Sequence, residues 1–199
     1  MKGKKKLLLG AAFALLLIVA SVSLTVAYFT QTTGEKTNVF TVGTVEATLT
    51  EPVFDDLEDE QKVLVPSRVI PKDPTVTIVA NSEDVYARVF VKIETDFLNA
   101  IDTTAGFTTP NSGWSLFGTT VSGDYTIIEY RFSTVVGKAT TDQELPPVFE
   151  QLKIKNSATT TDLAAIGDPE IDVIAQIVQV ESFANATAAF AAVGRPAGY

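Results

Sequence analysis

The stretch VYARVFVKIE (85–94) decides the fold. Val85, Ala87, Val89, Val91 and Ile93 fall on one side of an extended chain, and Tyr86, Arg88, Phe90, Lys92 and Glu94 on the other. A period of two places the first set on a core and leaves the second partly exposed, whereas a helix would need a period near 3.6. The cluster Asn81-Ser82-Glu83-Asp84 just before it is built of turn-forming residues. Before that turn, residues 75–80 read as a strand with Val76 and Ile78 on one face.

The same reading extends in both directions. Toward the N-terminus, Phe40 and Val42 alternate, Gly43 intervenes, and Val45, Ala47 and Leu49 continue on the opposite parity. A glycine at a parity switch marks a bulge. Pro52 and the acidic run FDDLEDEQ (54–61) end that strand, and residues 63–65 form a short strand before the turn Pro66-Ser67. Toward the C-terminus, a Gly/Thr/Pro/Asn-rich loop (102–113) leads to strands at 114–117 and Tyr125–Phe132, joined across Gly123-Asp124. Residues 134–147 are turn-prone, Phe149, Leu152 and Ile154 form a further short strand, 156–169 is a loop, and 171–181 is the last strand. Short strands joined by polar turns, with no helices between them, predict an all-β fold: an antiparallel β-sandwich of jelly-roll type. A short C-terminal helix is expected over 186–193, capped by Asn185, stopped by Gly194, and docked through Phe183, Phe190 and Val193.

Composition removes whole classes of chemistry. The chain has 199 residues, 46% of them hydrophobic, so a core is expected and global disorder is not. It contains no His and no Cys. Thiol nucleophiles, Ser-His-Asp triads, imidazole zinc sites and cysteine metal clusters are excluded, and so are disulfides and a lipidated N-terminal cysteine. The formal net charge is −9. A surface of that sign repels nucleic acid and anionic membrane, so neither is an expected partner.

Residues 1–6 (MKGKKK) are basic and 7–27 (LLLGAAFALLLIVASVSLTVA) carry no charge. This is the order of a secretory signal peptide. The run is long enough to cross a bilayer. Against an anchor, Ser21, Ser23 and Thr25 thin its end, no basic cluster follows, and Thr25 and Ala27 supply the small residues of a cleavage site between Ala27 and Tyr28. The expected organisation is a signal peptide (1–27), an N-terminal arm with a first strand (28–50), and a β-sandwich domain (51–199). The membrane is then a partner only through an uncleaved signal segment.

Several segments in order carry a family likeness. They are AYFTQTTGEKTNVFTVGTVEATLTEP (27–52), PSRVIPKDPTVTIVANSEDVYARVFVKI (66–93), the run from Trp114 through Tyr125–Phe132 to Ile154, and IDVIAQIVQVESFANATAAFAAV (171–193). Their order and spacing resemble TasA/camelysin-like proteins, and they span most of the chain. The marks are Ala27, Tyr28-Phe29, the Asn38-Val39-Phe40 unit with Gly43, and the strand holding Tyr86 and Arg88. Ser67 departs from the pattern, where the turn commonly has Gly, and the fibre-forming branch is typically longer. The resemblance implies a dedicated signal peptidase as a partner during export, and a surface or matrix location.

Candidate sites follow from residue type. The clustered carboxylates Asp55, Asp56, Glu58, Asp59 and Glu60 suit a hard cation, but lack the alternation and glycine of an EF-hand, and read first as a solvated loop. Trp114, Tyr125, Tyr130 and Phe132 read first as cross-strand core, with a carbohydrate platform as the competing reading. Arg88 and Arg131 are expected to pair with acidic neighbours. Camelysin carries a protease label, yet nothing in this chain marks a catalytic, cofactor or metal site, so no catalysis and no cofactor are expected. The segment with most functional content is the arm. Val39, Phe40, Val42, Val45, Ala47 and Leu49 form a candidate donor strand that adds to the sheet of the next subunit, as the resemblance implies for fibre-formers. Equally, 39–49 reads as an ordinary first strand of its own domain. The expected function is a structural subunit of extracellular, biofilm-matrix fibres that self-assembles into filaments. Behind it stand a monomeric surface module that binds a ligand or carbohydrate, and then a secreted peptidase.

Overall fold

The computed structural model describes residues 30–33, 45–104, 107, 109–181 and 183–199. The expected signal peptide, the cut between Ala27 and Tyr28, and Val39, Phe40 and Val42 lie outside the described residues.

The chain is mostly β, with antiparallel sheets and a few short helices. Its strands are β1 (Thr30–Thr33), β2 (Ala47–Thr50), β3 (Val69–Pro71), β4 (Thr75–Ile78), β5 (Val85–Glu94), β6 (Trp114–Ser122), β7 (Tyr125–Phe132), β8 (Gln143–Glu144), β9 (Gln151–Lys153) and β10 (Ile171–Gln179). A five-stranded sheet runs in the order β1-β10-β5-β7-β6, a three-stranded sheet β2-β4-β8, and a two-stranded sheet β3-β9. Strand β5 is central, paired over nearly its whole length with β10 on one side and β7 on the other.

The periodicity of 85–94 gives the core face correctly. Val85, Ala87, Val89, Val91 and Ile93 are all buried, in one cluster with Ile128 and Tyr130 of β7 and with Val173, Ala175 and Ile177 of β10. The same cluster takes in Ala47 of β2, Val76 and Ile78 of β4, and Leu152 of β9, so the residues of all three sheets share one core. Fully burying a branched aliphatic side chain contributes on the order of 1.5–3 kcal/mol, and this cluster is the main term favouring the fold.

The opposite face of β5 departs from expectation. Arg88 is 3% exposed and Phe90 0%. Helix α5 (Ala186–Val193) covers this side, with Phe190 edge-on to Tyr86. Asn185 caps it as its sequence predicts, accepting from the Ala188 amide, and Gly194 ends it at φ +69°.

Helices also occur between strands, contrary to the sequence reading. The acidic run holds two single turns, α1 (Pro52–Asp55) and α2 (Asp59–Lys62). Asp73 fixes the first by accepting from the amides of Val53 and Phe54, and a Glu58/Gln61 capping box fixes the second. Helix α3 (Thr95–Ala100) continues directly from β5 and buries Phe97 and Ala100, a spacing of three that the alternation before it masks. The expected loop 156–169 contains α4 (Thr160–Ile166), whose start is a capping box in which Thr159 and Asp162 bond reciprocally. The strand expected at 63–65 is absent. There Arg68 Nη1 donates to the carbonyls of Glu60 and Val63, which holds a turn, and pairing begins only at Val69. Ser67 in that turn sits at φ +66°, the left-handed region in which glycine is favoured.

The hairpin β6–β7 is longer than expected. Its two-residue turn places Gly123 at φ +60° and pairs Ser122 with Tyr125. At the other end Gly113 is required for space as well as conformation, because a Cβ there would meet Phe132 at 2.6 Å.

Tyr130 is fully buried and its hydroxyl donates to the Phe107 carbonyl at 2.5 Å. Desolvation raises its pKa well above the ordinary tyrosine value of 10.0. A raised pKa in the folded state contributes stability that is complete below pH 10 and is lost as pH climbs toward the folded value, because the unfolded chain ionises first. Tyr130→Phe is therefore expected to lose about 1 kcal/mol at pH 7 through the missing hydrogen bond. That deficit should shrink above pH 10 in urea titrations. A constant deficit from pH 7 to 11 would contradict the assignment.

Candidate functional site

The described parts of the N-terminal arm divide between two sheets, and of the donor-strand candidates Val45, Ala47 and Leu49 are described. β1 pairs antiparallel with β10, Thr30 opposite Val178 and Thr33 opposite Ala175, and forms one edge of the five-stranded sheet. β2 pairs with β4 in the three-stranded sheet, Ala47 opposite Ile78 and Thr50 opposite Thr75. Val45 and Ala47 are buried in the main core, and Leu49 is half-buried against it. Thus Val45, Ala47 and Leu49 serve the first strand of the chain's own small sheet. β2 is an edge strand of the small sheet but is built into the main core, whereas the short strand at Thr30–Thr33 takes an edge of the five-stranded sheet. Four residues of backbone pairing hold it there, and its sequence TQTT is uncharged.

The outer face of the five-stranded sheet carries a buried charged cluster. Register sets Arg88 opposite Gln176 of β10 and opposite Arg131 of β7. Two arginines directly across a ladder repel each other. Glu129, two residues along β7, reaches both: its Oε1 accepts from Arg131 Nε at 2.7 Å and from Arg88 Nη1 at 3.3 Å. Arg195, beyond α5, approaches the other oxygen at 3.7 Å. Arg88 Nε donates to Gln176 Oε1 at 2.7 Å, and Nη2 donates to the carbonyl of Gly194 at the end of α5. The Phe190 ring lies between two guanidinium groups, with Arg88 4.4 Å and Arg131 5.0 Å from its centroid. Burial, then the neighbouring Arg131 and Arg195, lower the Arg88 pKa to about 10 against the opposing pull of Glu129, and Arg88 remains a cation at neutral pH. Arg88 and Arg131 were legible as strand residues that need acids. Glu129, Gln176 and the Gly194 carbonyl were not, although each polar side chain interrupts an apolar run (IIEYR, IAQIV) and so signals a covered, hydrogen-bonded face.

The acidic run is occupied with structure. Among the described residues no group of three or more acidic side chains is placed to hold a metal ion. Beside it lies a cleft of about 790 Å³, with Phe54, Ile70, Phe97 and Leu163 in its wall and Lys62 and Lys72 at its polar side. Lys72 is committed there, bonded to Glu51 at 2.7 Å and lying 4.2 Å above the Phe54 ring.

The four aromatics share no exposed surface. Trp114 is buried, donates Nε1–H to the Pro146 carbonyl at 2.7 Å and meets Phe132 edge-on at 5.1 Å. Tyr130 is inside the core, and Tyr125 lies at the far end of the hairpin with Lys92 4.5 Å above its ring. No helix among the described residues is long and apolar enough to cross a membrane.

No family model matches the chain, and neither a curated protein nor a solved structure matches it.

Glu129 meets three guanidinium groups with a single carboxylate. Removing one partner of a buried ion pair costs about 3–5 kcal/mol, far more than removing a surface pair. Glu129→Gln should therefore lower the unfolding free energy by about 3 kcal/mol in urea, and adding Arg88→Met should recover part of the loss. A change below about 0.5 kcal/mol would mean the arginines are solvated in solution.

Proposed function

We propose that this chain is a secreted structural subunit of extracellular, biofilm-matrix fibres, similar to TasA/camelysin proteins, and that it polymerises by donating its N-terminal strand to the next subunit. The observation that supports this reading is the position of β1. It is a four-residue edge strand paired antiparallel with β10, while the next strand among the described residues belongs to a different sheet. The contact β1 makes within its own chain is one that β1 of another copy can make equally well. Exchange of an identical element between copies needs no new surface. Such a head-to-tail exchange does not close, so it extends into a filament.

The finer architecture in this reading is a β-sandwich of jelly-roll type, with the five-stranded sheet as one layer and the smaller sheets as the other. Export runs through a signal peptide cut between Ala27 and Tyr28 by a dedicated peptidase, and the membrane is touched only before that cut. The chain is not an enzyme and takes no cofactor in this reading, consistent with a sequence free of His and Cys. Trp114 and Tyr130 are buried, so the ring faces a carbohydrate platform would use are covered, which supports the fibre reading over a platform built on these aromatics.

The structure also selects the right truncation. A chain starting at Glu51 would lose β2 and with it the core residues Val45 and Ala47, whereas a chain starting at Val45 loses β1 and keeps both. Electron microscopy should show concentration-dependent filaments from protein beginning at Tyr28 and monomers from protein beginning at Val45, both with the circular dichroism of a folded β protein. Filaments from both forms would remove strand donation. Dispersed particles from both, across concentration and pH, would remove the fibre subunit as a reading.

A further inference from the structure

The five-stranded sheet has a second edge, β6, and it is poorly defended. Edge strands in soluble proteins are commonly short, or carry Lys, Pro or inward charges that discourage another strand from pairing. β6 is nine residues long, WSLFGTTVS, without a charged residue or a proline. Its bulge at Leu116/Gly118 disturbs only the first part, and residues 118–122 pair regularly with β7. Among the described residues no strand lies beyond it.

Most side chains of β6 are exposed, with Arg195 Nη1 donating to Thr120 Oγ1 at 3.1 Å and the Arg131 guanidinium lying over the Phe117 ring. Register with β7 puts Leu116 and Val121 on the same face as buried Trp114, opposite Tyr130 and Thr126. Yet Leu116 is 45% exposed and Val121 67%. Two apolar residues therefore face the core side of the sheet but project past the layer that covers it.

We propose that β6 pairs edge to edge with β6 of a second copy, antiparallel and two-fold symmetric about Thr120, so that two five-stranded sheets become one. Charge selects this occupant. The chain carries a net −9, so copies repel each other over most of their surface, and β6, with no acidic residue of its own and with Arg195 and Arg131 beside it, is where that repulsion is least. A basic partner would instead be drawn to the acidic surface elsewhere. The sequence around Thr120 is also self-complementary. In this register Gly118 faces Ser122 of the second copy and Thr119 faces its Val121, each pair occurring twice. Gly118 and Ser122 flank Thr120 on one face, and β-branched Thr119 and Val121 meet on the other, which suits a close antiparallel pair. The contact uses no residue of the N-terminal arm, so it goes beyond strand donation and joins copies laterally.

Absence of cysteine makes the test clean. In the chain beginning at Tyr28, Thr120→Cys supplies a single thiol at the two-fold axis, where antiparallel Cα atoms lie about 4.5–5.5 Å apart, within disulfide reach. Mild oxidation should convert most of it to a disulfide-linked dimer, while Val53→Cys, also at an exposed site, stays monomeric. Adding Val121→Lys to Thr120→Cys should cut cross-linking at least tenfold, with circular dichroism unchanged because this side chain is exposed. Cross-linking of Thr120→Cys no greater than that of Val53→Cys, or insensitive to Val121→Lys, would overturn the proposal. Neither readout requires filaments, so failure here and failure of strand donation are seen separately.

Discussion

Arg88 is a permanently charged group at the middle of the central strand, 3% exposed, and much of the outer layer is arranged to make that burial tolerable. A guanidinium withdrawn from water must find both a counter-charge and acceptors for its fixed donors. Glu129 supplies the charge, Gln176 and the Gly194 carbonyl supply acceptors, and the Phe190 ring covers the plane. Each comes from a different place: β7, β10, and the helix with its C-terminal cap. The cluster thereby fastens three strands and α5 to one another, and an apolar residue at Arg88 would leave the end of the helix with nothing to bond. It does so at some cost, since three guanidinium groups share one carboxylate and the Arg88 pKa is drawn down to about 10.

This arrangement makes β5 a strand with two buried faces inside an antiparallel sheet. The inner face meets the smaller sheets through aliphatic side chains, and the outer face meets α5 through charge, aromatic rings and a small cluster of Val178, Ala189 and Phe190. With both faces occupied, the edges are the parts of the large sheet left to interact. They differ in kind. One is closed by β1, a short strand of four residues, and the other is β6, long, without a charged residue and carrying exposed apolar side chains. Strand donation and edge-to-edge pairing, as proposed, both use strand edges rather than faces.

Much of the fold was legible. Alternation over 85–94 marked the central strand and its core face, because a strand with one face on a core writes a period of two directly into the chain, and 125–132 and 171–181 were legible as strands. Asn185 and Gly194 marked the ends of α5 because caps are local. The single-turn helices were missed because four to seven residues hold too little periodicity to compete with the strand signal around them, although Thr159 with Asp162 carried a capping-box signature. Of the candidate site, Val45, Ala47 and Leu49 were legible as a strand, but not which sheet that strand would join.

Sequence by itself determined that this is an acidic, cysteine-free and histidine-free chain, mostly β, with Val85, Ala87, Val89, Val91 and Ile93 turned to a core. Those properties follow from composition and from contacts between near neighbours. Only the tertiary structure decided that β2 pairs with β4 while β1 crosses to β10, that Arg88 meets a glutamine 88 residues away, and that β6 is an edge of the five-stranded sheet among the described residues. Pairing partners, and therefore edges, are set by register between segments distant in sequence. The alternation of one strand says which face is buried, but carries no information about the strand beside it.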